Sequence, residues 1–67
     1  MIKCKLSELM GREKMNIQNV SEAAGLNRNT VSALYHEKAK RIDYDTIGKL
    51  CKLFHCNVGD LFDYTGD

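Results

Sequence analysis

The chain has 67 residues, close to the lower limit at which one hydrophobic core sustains folding, so we expect a single domain over residues 1–67. Its 43% hydrophobic and 28% charged residues are typical of a globular protein, and no apolar run approaches the roughly 18 residues of a membrane span. Three cysteines without a CxxC pair provide neither a disulfide framework nor zinc-finger spacing. Because the first ten residues also lack a secretory pattern, we expect a cytoplasmic protein with reduced thiols and no membrane partner.

The formal net charge of +1 conceals an uneven distribution of charge along the sequence. Residues 1–41 contain eight Lys and Arg against four Glu, whereas residues 42–67 contain two Lys against five Asp. We therefore predict a molecule with one basic end and one acidic end, which would bind an anionic partner in a defined orientation.

Apolar residues recur at helical spacing along the whole chain, and no stretch shows strict alternation with a period of two. This spacing predicts an all-α fold with five helices at residues 3–13, 17–24, 28–36, 44–55 and 58–64. Four residues with Asx side chains stand directly before apolar-periodic segments and are predicted N-caps: Asn16, Asn27, Asp43 and Asn57. Gly25 and Gly11 are predicted to end the second and first helices in a left-handed conformation. Gly48 lies inside the fourth helix, where a glycine costs about 1 kcal/mol relative to Ala unless a close packing contact requires it.

A three-residue turn containing a glycine, Gly25 to Asn27, connects the second and third predicted helices. This geometry allows the second helix of the pair to enter the DNA major groove. On a helical wheel, Val31, Leu34 and Tyr35 form the inward face of the third helix. The opposite face is short, uncharged and polar, although Asn, Ser and Thr are poorer helix formers than the Lys and Glu of a merely solvated face. We therefore predict that this face reads DNA.

The side chains of this outward face suit the edges of DNA bases. Asn makes two hydrogen bonds to adenine, Ser and Thr reach several donors and acceptors, and an Ala methyl contacts the thymine methyl. Arg28 would contact either guanine or a phosphate, and Asn27 is either a base contact or only an N-cap. The predicted base contacts are Asn27, Arg28, Asn29, Thr30, Ser32 and Ala33.

Basic and polar side chains around the third helix are predicted to contact the DNA backbone. Lys38, Lys40 and Arg41 form a basic loop directly after the helix, although such a triplet also occurs in merely solvated loops. Asn16 and Gln18 would bind a phosphate together with the first amides of the second helix, with simple capping as the alternative for Asn16. The predicted backbone contacts are Asn16, Gln18, His36, Lys38, Lys40 and Arg41.

The run NIQNVSEAAGLNRNTVSALY resembles the helix-turn-helix of the Cro and lambda-repressor-like DNA-binding family, which would span residues 17–36 here. The run RIDYDTIGKLCKLFHCNVGDLFDY resembles the fourth and fifth helices of that family, so the resemblance covers residues 4–64. The turn glycine Gly25, the anchors Val20, Val31 and Leu34, and the closing DLF pattern all fall in register.

This resemblance implies a compact five-helix lambda-repressor-like domain and a sequence-specific transcriptional regulator, which we expect to be a repressor. Such a regulator binds a palindromic operator, usually as a homodimer, and inserts the helix at 28–36 into the major groove. By position, the resemblance assigns base contacts to Asn27, Arg28, Asn29, Ser32 and Ala33, and backbone contacts to Asn16, Lys38, Lys40 and Arg41. Two residues depart from the family pattern. Ser21 replaces a common alanine, and Glu37 replaces a frequent loop glycine, which would strain Glu37 if the loop requires a positive φ.

Other kinds of chemistry have less support. Cys51, His55 and Cys56 invite a metal site, but Cys51 lies on the apolar face of the fourth helix, and only a distant His36 or Cys4 could complete four ligands. The sequence contains no nucleophile elbow, phosphate-cradling glycine loop or pair of catalytic carboxylates. We therefore expect a protein that is not an enzyme and needs no cofactor.

The partners predicted from the sequence are double-stranded DNA and a second copy of the chain. A dimer would form through surface residues near Leu61, Phe62 and Tyr64, or near Met1 and Ile2. The alternative function is that of an antitoxin-like interaction module whose acidic C-terminal half binds a protein, and this alternative is compatible with DNA binding.

Overall fold

A computed structural model describes residues 1–66 and contains five helices and one small sheet. The helices are α1 (Leu6–Glu13), α2 (Ile17–Ala24), α3 (Arg28–Tyr35), α4 (Tyr44–Phe54) and α5 (Val58–Leu61). Strands β1 (Ile2–Cys4) and β2 (Phe62–Tyr64) pair antiparallel. None of the helices in the described part of the chain is long and apolar enough to cross a bilayer.

The five predicted helices are confirmed, and α2 has the predicted bounds. The all-α description is only approximate, because residues 2–4 and 62–64 form strands. Residues 3–4 and 62–64 were assigned to the start of the first helix and the end of the fifth. Each strand has three residues, which is shorter than the roughly four to eight residues over which alternation can be recognised. The two strands are stabilised by pairing with each other, although neither shows a recognisable alternation of apolar and polar residues.

The sheet also changes the predicted distribution of charge. Lys3 in β1 lies opposite Asp63 in β2, and the ammonium group of Lys5 donates a hydrogen bond to the carbonyl oxygen of Gly59 at 3.1 Å. The prediction of separate basic and acidic ends is therefore wrong for these two lysines, because antiparallel pairing places them beside the acidic C-terminal segment.

Each helix contributes apolar side chains to one core, whose largest fully buried members are Leu6, Met10, Val20, Val31, Leu50 and Leu61. Val31 and Leu34 face this core as predicted, but Tyr35 is 38% exposed. The Tyr35 ring instead packs edge-to-face on the His36 ring, with centroids 5.0 Å apart, and borders a surface groove. The inward face of α3 is thus narrower than the helical wheel predicted.

The predicted N-caps begin their helices as expected. Asn16, Asn27 and Asp43 accept hydrogen bonds from the backbone N–H groups of Asn19, Asn29 and Thr46 at 2.7, 2.7 and 2.9 Å. At α5, the N–H of the cap residue Asn57 donates to the Asp60 carboxylate at 3.0 Å. These bonds satisfy amide groups that have no partner within a helix's own first turn.

Helices α1 to α4 share one kind of ending, in which a single residue adopts the left-handed conformation. These residues are Lys14, Gly25, Glu37 and His55, with φ of 56°, 69°, 57° and 51°. The N–H of the following residue then donates to a carbonyl five positions earlier, as in a Schellman motif: Met15 to Met10, Leu26 to Ser21, Lys38 to Ala33 and Cys56 to Cys51, at 2.9, 2.9, 2.8 and 3.1 Å. The positive φ considered for Glu37 is therefore present.

The glycine predictions had different outcomes. Gly25 ends α2 as predicted, but Gly11 lies inside α1, and Lys14 adopts the left-handed conformation instead. A close packing contact does not explain Gly48, since a Cβ built there meets no heavy atom within 4 Å. Only one of the four left-handed positions is a glycine, so glycine is an incomplete signal for helix ends in this chain.

Candidate nucleic-acid interface

The turn between α2 and α3 places α3 at the surface while its inner side remains anchored. Val20 of α2 and Val31 of α3 are fully buried. Ser21 is also buried, and its hydroxyl donates to the Gln18 carbonyl oxygen at 3.0 Å, so the polar group has a partner. A small side chain is thus retained at Ser21, where the family pattern commonly has alanine, without an unsatisfied hydroxyl.

The outer side of α3 separates two grooves. One groove, of about 460 Å³, lies between α3 and the segment that leads into α4, and it is bordered by Asn29, Thr30, Ala33 and Arg41 among others. The second, of about 620 Å³, lies towards the start of α2 and is bordered by Ile17, Asn27, Arg28, Asn29 and Ser32. Asn29 borders both grooves and is exposed, so it lies on the ridge between them. The six predicted base contacts are therefore brought together on one helix and its two flanks.

Several polar side chains in this region already have hydrogen-bonding partners. The side-chain oxygens of Asn16 and Asn27 accept capping hydrogen bonds, as the capping alternatives predicted. The side-chain amide of Gln18 donates to the Glu22 carboxylate at 3.3 Å. Asn16 and Gln18 border a third groove together with Arg28. The structure therefore brings the start of α2 next to α3. Some of the polar side chains there also stabilise α2 and α3 through hydrogen bonds within the protein.

The basic residues after α3 are all exposed. Arg41 borders both the groove beside α3 and a groove of about 240 Å³ that faces the sheet, and Lys40 borders the second of these. Lys38 and His36 lie at the C-terminal end of α3. Within residues 1–66, the ion pairs join Arg12 to Glu13 and Lys49 to Asp45, so the predicted basic contacts carry charges that no carboxylate pairs with.

The start of α4 contributes residues that the sequence did not single out as contacts. Asp43 and Thr46 border the groove beside α3, and the next residue after Asp43, Tyr44, is 91% exposed. Hydrogen bonds from the Thr46 side chain and backbone hold the pKa of Asp43 below its ordinary range.

The residues considered for a metal site lie elsewhere. Cys51 and Cys56 are half-buried and His55 is exposed in the left-handed turn after α4. Burial raises the pKa of the Cys56 thiol, as it does for the buried Cys4. Within the described residues, no three His, Cys, Asp or Glu side chains come together in a group that could hold a metal ion.

The sequence of the chain matches that of a known protein family. Residues 5–67 match the family model of the Cro/C1-type HTH DNA-binding domain. The chain is also 32% identical over 59 residues to YozG of Bacillus subtilis, described as an uncharacterized HTH-type transcriptional regulator, and the match covers 88% of this chain and 70% of YozG. Both matches include α2, the glycine turn and α3. The resemblance predicted from the sequence is thus confirmed, and the chain belongs to the Cro/C1-type helix-turn-helix DNA-binding family.

Proposed function

We propose that this chain is a transcriptional repressor that acts in the cytoplasm, as one domain over residues 1–67, on a palindromic operator. The observation that carries the proposal is the exposed ridge of α3, where uncharged Asn29 stands between grooves bordered by Arg28 and Arg41. An uncharged donor and acceptor group flanked by unpaired cations fits a helix that reads bases between two phosphate strands.

Each group of residues has its own role in this proposal. Asn29 binds the edge of an adenine, while Thr30, Ser32 and Ala33 contact neighbouring base edges from the sides of α3. Arg28 and Arg41 bind guanine or phosphates on the two flanks of the helix, and Lys38 and Lys40 add phosphate contacts beyond its end. Asn16 and Asn27 act mainly by fixing the helix N-termini that approach the backbone.

The proposed roles in base and phosphate contact can be tested by selecting bound sequences from a random DNA pool and then measuring two matched substitutions. We expect Asn29→Ala to weaken binding to the selected sequence by about 1–3 kcal/mol with little effect on random DNA. Lys40→Ala should weaken binding to both DNAs and reduce the slope of log K against log salt by roughly one unit. Equal losses on both DNAs for Asn29→Ala would contradict base reading, and an unchanged slope would remove Lys40 from the phosphate contacts.

The two places predicted for a dimer interface form one surface. Ile2 lies directly opposite Tyr64 in the sheet, and Met1, Ile2 and Tyr64 are 80, 63 and 69% exposed. Leu61, the last residue of α5, is fully buried and belongs to the core instead. We assign homodimer formation to this terminal sheet surface, defined by Met1, Ile2 and Tyr64.

A homodimer would present two copies of α3 about one DNA turn, or roughly 34 Å, apart. The selected DNA should then contain two inverted half-sites at that spacing. An antitoxin-like module would instead use its acidic C-terminal half to bind a different protein. Recovery of a single half-site by a monomeric protein would favour this second function.

A further inference from the structure

The end of α3 differs from the other three helix ends in one respect. After the left-handed residue of α1, α2 and α4, the next side chain is apolar and packs against the core: Met15, Leu26 and Cys56. Such an apolar contact normally accompanies the Schellman motif and fixes the direction in which the chain leaves the helix. After α3 this position is Lys38, which is exposed. The basic loop at 38–41 therefore begins without the apolar anchor of the other helix ends.

Glu37 makes a different contact at this helix end. Its side-chain oxygen Oε1 accepts a hydrogen bond at 3.2 Å from the backbone N–H of Cys4, which lies 33 residues away in β1. Cys4 itself is buried, so β1 provides a fixed attachment point. The two other non-glycine residues with positive φ, Lys14 and His55, have no side-chain hydrogen bond to any of the described residues. Glu37 thus combines an unfavourable backbone conformation with a long-range contact.

We propose that Glu37 is the positioning residue of the basic loop, an inference that rests on the proposed function. Its carboxylate bridges the groove between the loop and the sheet, which Cys4, Glu37, Lys40 and Arg41 all border. The bond to Cys4 replaces the missing apolar anchor and holds Lys40 and Arg41 beside α3. It also directs the carboxylate towards β1, away from the phosphates that its negative charge would repel.

Three substitutions of Glu37 separate acceptor, charge and backbone strain. Glu37→Gln keeps a side-chain oxygen acceptor and removes the charge. Glu37→Ala removes the acceptor and leaves a Cβ in the left-handed conformation, whereas Glu37→Gly removes the acceptor and relieves the strain. If Glu37 positions the loop, Ala and Gly should weaken binding to a random-sequence duplex by roughly three- to tenfold and lower the salt slope, because loop cations lose their fixed positions. The Glu37→Gln variant should keep a binding affinity and a salt slope close to those of the wild-type protein.

The exchange rate of the Cys4 amide hydrogen, measured by NMR without DNA, provides a second readout. It should rise in the Ala and Gly variants and stay low in the Gln variant. His55→Ala and His55→Gly are matched controls, since His55 also has a positive φ but makes no side-chain hydrogen bond, and we expect them to leave the salt slope unchanged.

Three outcomes would overturn the proposal. Wild-type binding by Glu37→Gly would show that the side-chain acceptor is not needed, and tighter binding by all three Glu37 variants would show that only the charge matters. Unchanged Cys4 exchange in Glu37→Ala would show that the hydrogen bond does not hold the loop. Failure of the wild-type protein to bind DNA would instead refute the proposed function, and Cys4 exchange would still decide whether Glu37 fixes the loop.

Discussion

Asp43 both begins α4 and borders the groove beside α3. Its carboxylate accepts a hydrogen bond from the Thr46 N–H at 2.9 Å, and the hydrogen bonds from Thr46 hold its pKa below the ordinary value. Because the pKa is lower in the folded than in the unfolded chain, the ionised carboxylate stabilises the fold above the unfolded pKa. This contribution is lost as pH falls through the folded pKa.

We therefore expect Asp43→Asn, which keeps an N-cap oxygen but does not titrate, to lose less stability on acidification than the wild-type protein. The free energy of unfolding should be measured by urea titration at several pH values between roughly 5 and 2, where Asp side chains titrate. Both proteins retain a side-chain oxygen that accepts the hydrogen bond of the Thr46 amide, so the substitution should preserve the geometry of the N-cap. Parallel acid profiles for the two proteins would contradict this role of Asp43.

Individual residues were predictable from the sequence where a single local rule decides their position. Asn27 and Asp43 were recognised as caps because an Asx side chain stands before an apolar-periodic segment. Tyr35 was misplaced because it lies at the edge of the helical wheel, where the shape of neighbouring elements decides burial. The contact between Glu37 and Cys4 had no local signal, since the two residues are 33 positions apart.

Within the helices and at their ends, glycines have opposite effects on the stability of the fold. Gly48 lies in the middle of α4, and a Cβ there meets no atom within 4 Å, so Gly48→Ala should stabilise the fold by about 0.5–1 kcal/mol through helix propensity. Gly25 has φ of 69°, so Gly25→Ala should destabilise the fold by about 1–2 kcal/mol. Chemical denaturation of the two variants tests both values. A loss of stability in Gly48→Ala would indicate a contact that the structure does not show.

The helices themselves were largely predictable because apolar residues at helical spacing also form the core. Their ends were less predictable, since Lys14, Glu37 and His55 adopt a conformation for which glycine is the usual signal. The strands were missed because three residues are too few to show alternation, and the pairing of Ile2 with Tyr64 joins opposite ends of the chain. Local sequence patterns do not contain this long-range information.

The terminal sheet surface is the proposed site at which two copies of the molecule associate. If the terminal sheet surface forms the homodimer, Tyr64→Ser should weaken self-association at least about tenfold, or roughly 1.4 kcal/mol, since exposed aromatic side chains often dominate interfaces. Tyr44→Ser is the matched control because it removes an aromatic side chain that is 91% exposed on α4. Sedimentation velocity over a concentration series measures both. Equal association of the Tyr64 variant and the control would place the interface elsewhere.

Strand β1 connects the terminal sheet surface with the basic loop. Its Ile2 lies opposite Tyr64, while the N–H of its Cys4 holds the Glu37 carboxylate. If association of two copies orders β1, it also orders the loop, and DNA that immobilises the loop must favour association by the same factor, because such coupling is reciprocal. One three-residue strand would then make occupancy of the operator a cooperative function of protein concentration.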